Sequence, residues 1–200
     1  MSVAVRRVGA ETSATRVLIL DATEQLIREE GYAAVSTRRV AAKAGIKPSL
    51  VHYYFTTTDD LLLALARRGA DDSDRMIEAA LNSVDPVRAL WRFLMDPSRI
   101  PIALEFMAMA NHRKVVRAHM AEHVQAMRER EVEIFTRVLG ERLAVSGEIS
   151  PAGLSVVLAG ISRALVMEGG LGVSTGHAEA RAFVERWLDE LVSVPEKTSC

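Results

Sequence analysis

Apolar side chains recur at three- and four-residue intervals along most of the chain, and no long segment alternates apolar with polar as a half-buried strand would. The pattern predicts an all-α protein. From Thr15 to Glu30 the apolar set Ile19, Leu20, Ala22, Leu26 and Ile27 marks a first helix, which Gly31 can close in a left-handed conformation. Ser36 is a good N-cap for a short second helix carrying Val40, Ala41 and Ala44, broken at Gly45 with Ile46 beyond it. Pro48 suits the first turn of a third helix, which runs to about Tyr54. Thr57 and Asp60 have the spacing of a capping box, opening a fourth helix that continues to about Leu81. Further helices are expected from Asp85-Pro86 to Met95, from Ile102 to Ala110 and from Val115 to Leu143, with Asp96-Pro97 and Pro101 as punctuation. Leu154 to Glu168 and Ala178 to Val194 read as the last two, separated by a break over Gly169 to Gly176.

Composition agrees with this picture and narrows it. The 200 residues are 49% apolar and 26% charged, with 12 Gly and 6 Pro, which suits a packed chain and excludes a collagenous or linker-dominated one. The only cysteine is Cys200, so no internal disulfide, cysteine metal cage or CxxC pair can form, and a cytoplasmic location fits. Arg6 and Arg7 are followed by no apolar run, so no secretory signal is expected. The stretch Ile149 to Ser162 is interrupted by Ser150, Pro151 and Gly153 and falls short of the roughly 20 residues a bilayer span takes, so no membrane helix is expected. Net charge is −1, unevenly spread: Met1 to Phe55 carries eight basic and five acidic residues, leaving an acidic remainder. That suits a protein touching phosphates with one end only.

Two short helices joined at Gly45, the second opening at Pro48, match a helix-turn-helix, whose second helix enters the major groove. Such a helix buries one face, here with Val51 and, from the preceding segment, Val40, Ala44 and Ile46. It offers the other face to bases and phosphates, here with Ser49, His52 and Tyr53. Tyr54 and Phe55 are candidates for packing against the first helix.

The segment ILDATEQLIREEGYAAVSTRRVAAKAGIKPSLVHYYFTTTDDLL, Ile19 to Leu62, resembles the DNA-binding head of the TetR family of bacterial transcriptional regulators. The resemblance rests on Gly31-Tyr32, Val40-Ala41, Ala44-Gly45-Ile46, Tyr54-Phe55 and an acidic residue before Leu61, in that order. It implies that Ser36, Thr37 and Arg38 lie near the DNA backbone, and that Lys47, Pro48, Ser49, Leu50, His52 and Tyr53 present to the groove. The chain departs from the family at Thr58, usually lysine, at His52, usually tyrosine, and at Lys47, usually a small capping residue.

The resemblance further implies a helical body that binds a small effector. Residues 1–14 would be a flexible arm, 15–62 the DNA-binding head, 63–195 the ligand-binding and dimerisation body and 196–200 a tail. Arg6 and Arg7 on that arm could add phosphate contacts or simply be disordered. Thioethers and aromatics adapt to varied ligands, which makes Trp91, Phe106, Met107, Met127 and Met167 candidates to line the pocket, although any one of them taken singly reads more readily as plain core. A homodimer would pair its last two helices with their mates through Leu154, Val157, Ile161, Ala164, Phe183, Trp187 and Leu191. It would set its recognition helices about 34 Å apart on a palindromic duplex operator. The reading is a repressor released by a small, largely apolar effector, with no cofactor and no membrane partner.

Two other readings stay open: a helical enzyme or carrier keeping the head as scaffold, and a metal-sensing regulator using His112, His119 and His123. The last two are spaced i, i+4, but without a partner set of acids or cysteines a solvated helix face explains them as well, and no metal site is assigned. Glu168-Gly169-Gly170-Leu171-Gly172 follows a helix rather than a strand, so it reads as a helix stop, not a phosphate loop. No motif places a catalytic nucleophile or carboxylate pair, so no enzyme activity is expected.

Overall fold

The computed structural model describes residues 13–193, and Arg6, Arg7 and the expected tail at 196–200 lie outside them. Among the described residues there are nine α-helices, one 3-10 turn and no strand. The helices are α1 (Ala14–Glu30), α2 (Thr37–Lys43), α3 (Pro48–Tyr54), α4 (Thr58–Leu81), α5 (Pro86–Leu94), α6 (Ile100–Ala110), α7 (Lys114–Ser146), α8 (Pro151–Gly170) and α9 (His177–Ser193). The expected capping box is present: Asp60 N–H donates to Thr57 Oγ1 at 3.0 Å, and Thr57 N–H donates to the Asp60 carboxylate at 2.9 Å. Asp85 and Ser150 cap α5 and α8 in the same way, accepting from Arg88 N–H at 3.1 Å and Gly153 N–H at 3.1 Å.

Pro101 opens α6 rather than punctuating the chain before it, since proline in a first turn forfeits no helical hydrogen bond. The break expected over Gly169 to Gly176 begins later, because Gly169 and Gly170 complete the last turn of α8. The 3-10 turn Tyr32–Ala34 was not expected.

The chain forms two compact units. The first takes the residues up to Asp71 together with Pro101–Glu122, and the second takes Asp72–Ile100 with the residues from His123 onward. The first therefore extends past residue 62 and includes α6. Its core joins Ile19, Leu20, Leu26 and Ile27 of α1, Val40 and Ala41 of α2, Val51 and Phe55, and Leu61, Leu62 and Leu65 of α4 to Phe106, Met109 and Val116. Gly31, at φ +78°, turns the chain out of α1, and the Glu105 carboxylate accepts from the next amide, Tyr32 N–H, at 2.8 Å. A Cβ on Gly31 would meet that carboxylate at 3.5 Å. Arg113 is ion-paired with Asp59 in the same unit.

The second unit packs Ile77, Val87, Leu90, Trp91, Phe93 and Leu94 against Ile134, Phe135, Leu139, Leu154, Leu158, Val184 and Leu188. By length and mean hydropathy, 1.4, α8 is apolar enough to cross a membrane, but one face of it, with Leu154 and Leu158, is packed into this core. A carboxylate sits inside the unit: Glu131 is 1% exposed, accepts from Arg128 Nη1 at 2.8 Å and is hydrogen-bonded by the Ser155 hydroxyl of α8. Burial pushes the Glu131 carboxyl above its ordinary value of 4.5, against the opposing pull of Ser155 and of the Arg128 and Arg163 charges. The folded chain thus holds this proton to higher pH than the unfolded chain does. The resulting stabilisation is complete below about pH 4.5 and is lost as pH rises through the raised value. Urea unfolding at pH 5 and pH 7 should show Glu131→Gln gaining on the parent at the higher pH. A variant that loses ground to the parent between pH 5 and pH 7 would reverse this sign.

Three arginines of α7 finish other helices, satisfying carbonyls that a helix end leaves unpaired. Arg117 donates to Ala110 O at 2.9 Å and Asn111 O at 3.2 Å, Arg137 to Leu81 O at 2.6 Å, and Arg142 to Leu191 O at 2.6 Å and Val192 O at 2.5 Å.

Candidate nucleic-acid interface

The helix-turn-helix is built by local rules. Ser36 Oγ accepts from Arg39 N–H at 3.4 Å to start α2. The helix ends in a paired closure in which Ile46 N–H reaches Ala41 O at 3.0 Å and Gly45 N–H reaches Ala42 O at 3.3 Å. Gly45 takes φ +67°, which an L side chain would resist. Lys47 then stands at the N-cap of α3 in extended conformation, without a side-chain capping bond, and Pro48 occupies the first turn.

Val40 and Val51 are buried at 0% and 1% exposure, with Ala44 and Ile46 packed beside them as expected. Phe55 is buried under the Arg16 guanidinium, 5.2 Å from its ring centroid, and Tyr54 donates to or accepts from Ser13 Oγ at 2.8 Å. These contacts fix α3 against α1. The opposite face is bare: Ser36, Arg38, Lys47, Pro48, Ser49, Leu50, His52 and Tyr53 are exposed, and Thr37 is half-buried. Ser49, His52 and Tyr53 share one side of α3 by their i, i+3, i+4 spacing. Tyr53 is 44% exposed and is steadied edge-on by Tyr54, with centroids 5.2 Å apart at 89°. All nine residues read from the sequence thus belong to α2, α3 and their caps.

Electrostatics divides the basic side chains of this segment. Lys43 Nζ is 2.5 Å from Glu29 and Arg39 Nη2 is 2.5 Å from Glu30, both acids at the end of α1. Lys43, with Gln25 second, holds the Glu29 carboxyl below its ordinary value. Among the described residues Arg38 and Lys47 form no ion pair. The sequence reading missed this division. Its one visible signal was two acids in the last turn of a helix, where the macrodipole disfavours them.

The residues expected to line an effector pocket are not gathered together. Phe106 is buried in the first unit's core because its helix packs there, and Met107 of the same helix is exposed. In the second unit Trp91 borders an open cleft of about 480 Å³ with Arg88, Arg92, Glu185, Leu188 and Asp189, Met127 packs against the core, and Met167 is exposed. Of the residues expected at a dimer interface, Leu154 faces inward at 0% exposure and cannot meet a partner. Ile161, Trp187 and Leu191 are half-buried against the core, while Val157, Ala164 and Phe183 are exposed. Val156, at 59% exposure, joins them on the outer side of α8, and a Cβ added to Gly160 would meet nothing within 4 Å. Phe183 stacks on Trp187 at 6.5 Å. His112, His119 and His123 form no metal-ligand group: among the described residues no three His, Cys, Asp or Glu side chains are so placed.

The family described as bacterial regulatory proteins, tetR family, matches residues 19–65. The HTH-type transcriptional regulator BetI of Rhizobium meliloti (strain 1021) is 30% identical over 131 residues, 61% of this chain. The chain spans 64% of that relative's length, just under two thirds. A TetR transcription regulator from Haloarcula marismortui superposes with a TM-score of 0.69 at 20% identity, covering 88% of this chain and 97% of that one. A transcriptional regulator from Rhodococcus sp. Rha1 gives 0.70 at 18% identity, covering 90% and 99%. The relatives are named as regulators, not enzymes. The family's head sequence, residues 19–65, thus lies on an exposed helix-turn-helix, and the chain shares the helical fold of solved TetR regulators.

Proposed function

We propose that this protein is a cytoplasmic transcriptional regulator that binds duplex DNA through α2 and α3 and acts as a repressor. The observation that carries this reading is the bare polar and aromatic face of α3, with Lys47 and Arg38, which form no ion pair among the described residues, beside it, inside the segment that matches the family. In this reading Ser36, Thr37 and Arg38 meet backbone phosphates, and Lys47, Pro48, Ser49, Leu50, His52 and Tyr53 meet the groove. Residues 15–62 serve as the head and 63–195 as the body. The exposed apolar side of α8, with Phe183, favours a homodimer, which would read a palindromic operator. A small, largely apolar effector bound in the body would release the DNA by preferring a conformation that fits the operator less well. Trp91 and Met127, at the second unit's core, are the residues best placed to meet it.

Selection of bound duplexes from a random pool at a fixed salt concentration tests the reading. Enrichment of a two-fold symmetric site is the expected result. Folded protein that enriches nothing would overturn it.

A further inference from the structure

The head carries four basic side chains between residues 38 and 47, and two of them already have partners. We propose that Glu29 and Glu30 keep Lys43 and Arg39 off the DNA backbone and so limit the protein's sequence-independent affinity, leaving Arg38 and Lys47 to make this segment's phosphate contacts. The inference rests on the DNA-binding reading and adds to it a role for two acids outside the helix-turn-helix.

Three observations support it. The ion pairs are short, 2.5 Å each, and they join α1 to α2 rather than neighbours on one helix. The Glu29 carboxylate is held at both oxygens, since Gln25 Nε2 donates to Oε1 at 2.8 Å while Lys43 occupies Oε2. Both acids also stand in the last turn of α1, where the helix's own carbonyls make negative charge unfavourable, so α1 gains nothing from them. Lys43 and Arg39 supply the compensation.

Exposed ion pairs are weak one at a time, and a phosphate could compete for either cation. Swinging one away, however, would leave a bare carboxylate beside the phosphate, and the repulsion would oppose the exchange. Sequence-independent affinity comes from cations that displace counterions, whereas sequence preference comes from base-edge contacts. Neutralising two cations therefore lowers binding to any duplex and leaves base reading intact. Operator and random affinity fall together, and their ratio is unchanged.

The test uses the full chain, a random-sequence duplex as probe, and affinity measured across a series of salt concentrations. Glu29→Gln with Glu30→Gln should bind the random duplex several-fold more tightly. The slope of log affinity against log salt should steepen by about 0.9 for each cation released. In the parent background, Arg39→Gln with Lys43→Gln should leave the slope unchanged, whereas Arg38→Gln with Lys47→Gln should flatten it. Asp21→Asn with Glu24→Gln removes the same charge from α1, where Arg68 and Arg28 are the partners, and should not steepen the slope. Steepening there to the same degree would show a general charge effect and overturn the proposal, as would a flattened slope on loss of Arg39 and Lys43. A parent that binds no duplex at all would overturn the DNA-binding reading itself, an outcome distinct from binding with an unaltered slope. Thermal melts check folding, and the Arg39→Gln/Lys43→Gln arm decides the matter should the acid variants unfold.

Discussion

Lys47→Asp is expected to make the protein more stable and to take away its grip on DNA. Position 47 is the N-cap of α3, with φ −76° and ψ 142°, and its lysine makes no capping bond. Aspartate in that backbone conformation can accept from the amide of Ser49 or Leu50 and puts negative charge at the positive end of the helix. A good cap adds about 1 kcal/mol. The same substitution removes an exposed cation at the proposed interface and sets a carboxylate there. The affinity lost should be roughly tenfold for the phosphate contact and more for the repulsion. Thermal melts and anisotropy titrations with a selected duplex measure the two effects on one sample. Stability and binding moving in opposite directions would separate the helix's needs from the ligand's. Retained binding would place residue 47 away from DNA.

Leu154→Ala should cost about 2–5 kcal/mol of stability, because it empties a fully buried site in the second unit's core that the rigid helices around it cannot close. The loss should appear as a lower urea midpoint for the protomer. Ala164→Glu, one face away on the same helix, should leave a well-folded protomer that no longer self-associates, as read by light scattering. A glutamate there meets water in the single chain and a desolvated surface in a dimer. Should Leu154→Ala break association without loss of stability, the inward placement of Leu154 would be wrong.

Leu154 also shows where the sequence stops being legible. Helix α8 is apolar almost all round, so its period announces a helix but gives no direction, and only packing decides that Leu154 and Leu158 point in while Val156 and Val157 point out. The place of Phe106 was open for the same reason. Ile100–Ala110 is apolar except at Glu105, so its pattern does not say which core it joins. The head was legible because its signals are local and chemically distinct. Ser36, Gly45, Pro48 and the Thr57/Asp60 pair each mark a boundary, and α3 begins and ends at the residues expected. Contacts between distant residues were invisible. Glu29 with Lys43 and Glu105 with the Tyr32 amide depend on how helices meet, which spacing along the chain does not encode.

The three helix ends closed by Arg117, Arg137 and Arg142 have a chemical permanence that other closures here lack. A guanidinium stays protonated in any solution a protein survives, whereas a lysine in the same role would give up its charge near pH 10.4. Alkaline solution therefore leaves α4, α6 and α9 tied off where α7 meets them.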